Sequence, residues 1–329
     1  MEEKIIKIMY DNYNLKVDSI ERNKNVYKLN SNGVAYCLKI IKYEYSHFYF
    51  IISAILHIQN KGYSGTPEII KTKDGAYYIK ILDKYCYLTK WIGGRISDYS
   101  NIKDLENTSF ELGEFHKYSE GFTLNDNMKP RIYWFSWIKI FNTRKNEILD
   151  FKNRINQKCI KNEFDKLYLE YLDKEVMKAE KSIKGINNSN YKEYMEREVL
   201  KRGFCHHDIA NHNVLVDLYG NVNLIDFDYC ILDSSLHDLG SLIIRALRKN
   251  NWDQEIGEKI FRAYNFSKQI NKEDILFLKY FITFPQGFWQ LGIQKYWEQQ
   301  LWDEKEYLGK LERYLEEREK IENFTKEFF

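Results

Sequence analysis

The sequence predicts an α+β protein in two lobes, a small N-terminal lobe built on an antiparallel sheet and a larger, mainly helical C-terminal lobe. Three observations predict it. Short β-rich runs split by polar turns fill residues 17–90, and helical periodicity dominates the rest of the chain. Between them lies Trp91-Ile92-Gly93-Gly94-Arg95, whose glycine pair is the best linker in the chain. The expected division is 1–92 and 93–329, with a helical insert at about 130–200.

Residues 2–13 have the pattern of a short amphipathic helix. Val17–Ile20, Val26–Leu29 and Ala35–Ile40 form a strand meander, separated by Arg22-Asn23-Lys24-Asn25 and Asn30-Ser31-Asn32-Gly33. Residues 45–61 are apolar and of helical length. Glu68–Thr72, Ala76–Leu82 and Cys86–Lys90 are further strands. Helices are then expected at Asp104–Ser119, Trp134–Ile148, Lys161–Ile183 and Lys192–Arg202, with a polar break at 184–191. Four more are expected at Leu236–Asn250, Trp252–Asn265, Lys272–Trp289 and Lys295–Asn323, the last a charge-laced solvated face.

Bulk composition narrows the class. A chain of 329 residues that is 44% hydrophobic can bury a large core. Lysine plus arginine number 50 against 48 aspartates and glutamates, which argues against nucleic acid or an anionic membrane as main partner. Five scattered cysteines without a C-x-x-C pair argue against a disulfide framework or zinc, and for synthesis in a reducing compartment, the cytoplasm. The first residues are too broken by charge for a signal peptide, and no apolar run approaches the roughly 20 residues that span a membrane.

The chemistry concentrates in His206–Asp228. Asp208 and Asn213 are five positions apart, and Asp226 comes thirteen later. An H-x-D-x-x-x-x-N loop supplies a base and a metal-binding amide, and an Asp-Phe turn supplies a metal-binding carboxylate. Between them, Asn213–Asp217 and Val222–Ile225 flank the turn Tyr219-Gly220-Asn221, a hairpin that brings the three side chains to one mouth. Amide and carboxylate oxygens suit magnesium. Asp-x-x-x-x-Asn alone marks an ordinary turn; combined with His206, the hairpin and Asp226-Phe227-Asp228, it has the order and spacing of a kinase-type phosphotransfer site. His206 is expected to order the loop, and Asp238 to cap a helix or brace the loop from below.

Other residues extend the site. Lys39, alternating with apolar neighbours in AYCLKII, is placed to reach phosphates. A kinase lysine is usually held by a helix glutamate; helix 45–61 has none, and Glu44 lies just before it. The turn Arg22–Asn25 lacks the glycines of a phosphate-covering loop, though Lys24 can add charge. The backbone of Thr89 and Trp91 is a candidate to bond adenine, with Trp91 or Tyr87 packing on the ring. Trp134, Trp137, Trp289 and Trp297 are available to line an acceptor pocket, as ordinary core, sugar platform or aromatic cage for a quaternary amine.

Together these residues resemble the aminoglycoside phosphotransferase and choline kinase branch of the protein-kinase-like fold. LIDFDYCILDSSLHDLGSLIIRALRKNNWD further resembles the CotS-type spore coat proteins, with TKWIGGR, ELGEFHKYS and FPQGFWQLGIQKYWEQQ as supporting marks. The resemblance implies ATP and Mg2+ as cofactors, Asp208 as catalytic base, Asn213 and Asp226 as metal ligands with Asp228 as a second acid, and Lys39 on the phosphates. It also implies a small hydroxyl compound as acceptor, residence in the spore coat and contact with other coat proteins. A kinase-like structural coat component is the alternative. A protein kinase is disfavoured, because His237-Asp238 arrives eleven residues after Asp226 with no A-P-E-like segment between.

Overall fold

The computed structural model describes residues 2–329. Helix α1 (Glu2–Tyr13) sets Ile5 and Met9 against the outer face of a five-stranded antiparallel sheet. Its strands are β1 (Ser19–Asn23), β2 (Val26–Ser31), β3 (Val34–Ile41), β4 (Ile79–Ile81) and β5 (Lys84–Lys90), in the order β1-β2-β3-β5-β4. Period-two alternation divides β3 between two surroundings. Leu38 joins Leu29 and Leu88 under α1, while Lys39 and Ile41 turn to the other face. That inner face is covered by α2 (Tyr45–Asn60), which buries Phe48, Ile51, Ile52, Ile55 and Ile58 at helical spacing.

Two strand expectations shrink. In Glu68–Thr72 only Ile69 makes a bridge, to Thr89, and in Ala76–Leu82 only Ile79–Ile81 pairs. Asp74-Gly75 turns the chain, with Gly75 at φ +84°, so residues on either side form a loop and not a ladder.

The glycine pair is no slack linker. Gly94 starts β6 (Gly94–Ile96), which pairs antiparallel with β7 (Val214–Asp217), itself paired with β8 (Val222–Leu224). At φ +146°, a Cβ on Gly94 would lie 2.2 Å from the Val216 carbonyl oxygen, so the close backbone approach requires glycine. The chain leaving the first sheet is thereby stitched to the β7–β8 hairpin.

The helical part comprises α3 (Ile102–Ser119), α4 (Trp137–Asn156), α5 (Glu163–Asn187), α6 (Tyr191–Lys201), α7 (Leu236–Lys249), α8 (Gln254–Ser267), α9 (Lys272–Thr283), α10 (Gln286–Gly292) and α11 (Glu304–Glu327). Two long helices expected from the sequence are broken. Pro285 cannot continue α9 and instead caps α10. A π-helical turn at Ile293–Trp297 ends α10, and Asp303 caps a fresh start at Glu304. Helix α5 runs to Asn187, into the expected polar break. The largest apolar cluster joins Ile41, Phe48 and Ile55 to Phe115, Phe204 and Phe227, so α2 and the helical part share a core. A second core, with Phe151, Tyr168, Phe288 and Leu311, binds α4 and α5 to α10 and α11.

Candidate active site

The loop after α6 is fixed from beneath by Asp238, near the start of α7. Its Oδ2 accepts from His206 N (2.6 Å) and its Oδ1 from His207 N (2.8 Å). His116 Nε2 also donates to Oδ2 (3.1 Å), and His116 Nδ1 accepts from the Tyr264 hydroxyl (2.8 Å). Asp238 is fully buried. Burial raises its pKa, but the His116 hydrogen bond and neighbouring imidazoles outweigh that and bring it down to about 2. Burial lowers that of His116. Asp238 therefore braces the loop and does not cap the helix. His206 Nε2 donates to the Ile225 carbonyl (2.8 Å), tying the loop to the end of the hairpin as expected.

With the loop held, Asp208 and Asn213 face one another. Asn213 Nδ2 donates to Asp208 Oδ2 (2.9 Å) and to its carbonyl (3.0 Å). This spends the amide nitrogen and leaves Asn213 Oδ1 free for a cation. Asp208 Oδ1 lies 3.3 Å from Arg245 Nη2 on α7. Sequence reasoning missed Arg245. Its signal was its place two helical turns after Asp238, on the same face of α7.

Asp226 takes a left-handed backbone (φ +67°, ψ +65°), a conformation aspartate tolerates and bulkier residues avoid. The next residue, Phe227, drops into the core against His206 and Phe115, at ring-centroid distances of 4.8 and 5.8 Å. Asp226 is thereby turned toward the inner face of the first sheet. Lys39 Nζ reaches it there, 2.6 Å from Asp226 Oδ1 and 2.6 Å from Asp228 Oδ1. Both acids that hold the lysine thus come from the Asp-Phe-Asp turn; α2 supplies no carboxylate. Burial opposes the Lys39 charge, but Tyr87, Asp228 and Asp226 outweigh it and raise its pKa. For Asp226 burial raises and Lys39 lowers, with a net fall. For Asp228 burial dominates and the pKa rises. Asp228 Oδ1 is buried and, despite the nearby ammonium, makes no aligned hydrogen bond.

Between the first sheet and the hairpin lies a cleft of about 380 Å³. Lys39, Thr89, Trp91, Asn213 and Asp226 all line it. At its far edge the ladder takes up some of the expected backbone groups. Trp91 N donates to the Ala35 carbonyl (2.9 Å), and Thr89 pairs with Cys37, so the Trp91 N–H and the Thr89 backbone serve the sheet. In an antiparallel ladder alternate residues face the other way; Leu88 does so and accepts from Ile70 N (2.8 Å). Lys90 and Ile92 line the cleft as well, the Lys90 carbonyl accepting from Thr89 Oγ1 (3.2 Å). The turn at its phosphate-side rim is only Lys24-Asn25, with Lys24 at φ +54° and Asn25 Nδ2 donating to the Ile40 carbonyl (3.1 Å).

The donor set fits a hard divalent cation. It offers the free Asn213 Oδ1 and the Asp226 carboxylate, both oxygen donors on the cleft, while Asp228 lies behind them on Lys39 and outside the lining. His116, Cys205 and Asp238 also cluster closely enough to ligate a metal. Their polar atoms already serve one another, the loop backbone, Tyr264 and the Ser234 carbonyl. The four candidate tryptophans do not make one cage. Trp137 is core, Trp134 is part-buried, Trp289 stacks on Arg144 and Trp297 is bonded to Asp150.

Fold and site define a kinase-like protein, and solved structures agree. An aminoglycoside phosphotransferase from Alicyclobacillus acidocaldarius matches with a TM-score of 0.87 at 21% identity, over 98% of this chain and 94% of that one. The AMP-bound spectinomycin phosphotransferase APH(9)-Ia matches at 0.71 and 14%, over 99% and 98%. Amicoumacin kinase hAmiN, in complex with AMP-PNP, Ca2+ and Ami, matches at 0.66 and 13%, over 98% and 93%. No curated protein sequence matches. Residues 6–328 match the family described as "Spore coat putative kinase YutH", and the chain belongs to that family. It is a kinase-like spore coat protein.

Proposed function

We propose that the cleft binds ATP with Mg2+ and that the chain transfers the terminal phosphoryl group to a hydroxyl of a small molecule. The observation that carries this reading is the meeting of Lys39 from the first sheet with Asp226 and Asp228 from the catalytic turn, at 2.6 Å each. The structural neighbours include ADP, AMP and AMP-PNP complexes, which supports it by analogy. Thr89, Lys90, Trp91 and Ile92 line the end of the cleft that would take the adenine. Lys39 holds phosphate oxygens, and Asn213 and Asp226 hold the metal. Bound Mg2+ supplies neutralisation of phosphate charge. Asp208, steadied by Asn213 and Arg245, accepts the acceptor's hydroxyl proton. The protein's contribution is positioning and preset charge.

The direct test is ADP release by the full chain with Mg-ATP across a panel of hydroxyl compounds, with thermal melting as the binding control. A melting shift with Mg-ATP that Asp226→Ala abolishes is expected. Identical traces with and without nucleotide would remove the reading. A second reading, a structural coat component that does no chemistry and contacts other coat proteins, draws on the glutamate-free α2 and the two-residue turn. It predicts no phosphotransfer to any acceptor.

A further inference from the structure

A basic groove of about 460 Å³ opens between α5, α9 and α11. Lys174, Lys178 and Lys181 line it from α5, Lys279 from α9, and Arg318 and Lys326 from α11. One carboxylate, Glu322, lines it with them. The whole chain carries a net charge of only +2, so the groove gathers positive charge that the bulk balance hides. It faces away from the catalytic loop. Phe281 on α9 packs on Trp137 and His237, with ring centroids 5.1 and 5.3 Å away. Lys279 and Thr283 stand two positions to either side of Phe281, roughly 160° round the helix.

The floor of the groove is neutralised and its rim is not. Glu175 is fully buried, and its carboxylate accepts from Arg318 Nε (2.6 Å) and from the Tyr314 hydroxyl. Lys178 lies 3.6 Å from Glu175 and 3.7 Å from Glu322. Burial lowers the Lys178 pKa despite both acids. Those two carboxylates serve Lys178 and Arg318; among the described residues Lys174, Lys181, Lys279 and Lys326 form no ion pair. For two of them the helix itself offers no acid. Three and four positions either side of Lys181 stand Met177, Lys178, Lys184 and Gly185, and around Lys279 stand Ile275, Leu276, Ile282 and Thr283. Elsewhere surface lysines pair within their helix, as in Lys192–Glu196, Lys259–Glu255 and Lys310–Glu306. Lys174, Lys178 and Lys181 instead set like charges four and three residues apart on one face of α5, which costs helix stability.

Like charges held together at a cost around a groove suit a partner of opposite sign. Lysines are point charges without the planar fork that selects one small anion, and the single guanidinium here already sits on Glu175. From Lys174 to Lys181 the row covers about 10 Å of helix, the reach of about three extended residues. The exposed Met177 and half-buried Ile321 add apolar surface to the lining. We infer that this groove docks an acidic segment of a partner polypeptide, whose carboxylates meet Lys174, Lys181, Lys279 and Lys326 and whose apolar side chain meets Met177 and Ile321. The inference stands whether or not the chain transfers phosphate.

The test is fluorescence anisotropy of a labelled oligoglutamate peptide with one central leucine, titrated with the full chain at low salt. An oligolysine peptide with the same leucine is the charge control, and tripolyphosphate is titrated separately by calorimetry. The acidic peptide is expected to bind, the basic one to give no signal, and binding to weaken as salt screens it. Lys174→Glu combined with Lys181→Glu should weaken it about tenfold or more, as like charges meet across the contact. Lys192→Glu combined with Lys259→Glu, an equal change of net charge outside the groove, should leave the affinity unaltered. Lys279→Gln should weaken binding in the same direction, and it decides the matter if the double reversal does not fold. No binding of the acidic peptide, equal losses from the two double reversals, or binding of tripolyphosphate without the peptide would overturn the inference.

Discussion

At the scale of the residue, the lysine partner decides how this site differs from the expected one. With no acid on α2, Lys39 is held by the same turn that would hold the metal. Replacing Lys39 with Met leaves Asp226 and Asp228 facing each other uncompensated. The expected result is Mg-ATP affinity lower by about ten- to a hundredfold, read by calorimetry. Asp208→Asn should keep the Mg-ATP melting shift and cut phosphotransfer by about 10²–10⁴, the ordinary worth of a general base; an unchanged rate would remove Asp208 from that role. Asp238 makes a pH prediction. Its folded pKa of about 2 lies below the unfolded value near 3.9, so its stabilisation is present above pH 4 and lost as pH falls toward 2. It amounts to about 2 kcal/mol. His116 and His237 act in the same sense from a higher pH, because burial lowers their pKa values, that of His237 to about 3. Melting temperature should therefore fall on acidification below about pH 6.5, and Asp238→Asn should flatten the part between pH 4 and 2.

At the scale of the element, the motifs were legible where the backbone needs a particular residue, and illegible where tertiary pairing decides. The hairpin of β7 and β8 could be read from Tyr219-Gly220-Asn221 and its flanking apolar runs, and α2 from its apolar spacing. The break after α9 needed weight on Pro285, which a long apolar period masked. Residues 68–72 have the composition of a strand, yet their neighbour β5 is already paired with β3 and β4, so only Ile69 makes a bridge. Gly94 gave a true signal for backbone freedom, but freedom here serves contact and not slack. Gly94→Ala should destabilise the chain by about 2 kcal/mol through the clash with the Val216 carbonyl, measurable as a lower melting temperature.

At the scale of the whole molecule, the fold class was legible, and so was the closeness of three polar side chains that one loop and one hairpin hold together. Asp208, Asn213 and Asp226 sit within nineteen residues (208 to 226) on one loop and one hairpin. The cleft's far edge was less legible. Knowing which backbone groups of residues 89–92 the ladder takes up requires its register, which a sequence does not print. Arg245 was hard to see for another reason: it reaches the loop from a separate helix, and only its spacing from Asp238 sets it apart from solvated charges.

The turn formed by Lys24 and Asn25 sets a kinetic limit on any nucleotide chemistry in this chain. Two residues pinned by a side chain cannot swing down as a flap, so departing ADP would have no gate to wait for. Retention would lean on charge at the phosphate end and weaken as added salt screens it. Pre-steady-state traces should then lack the burst that slow product escape creates.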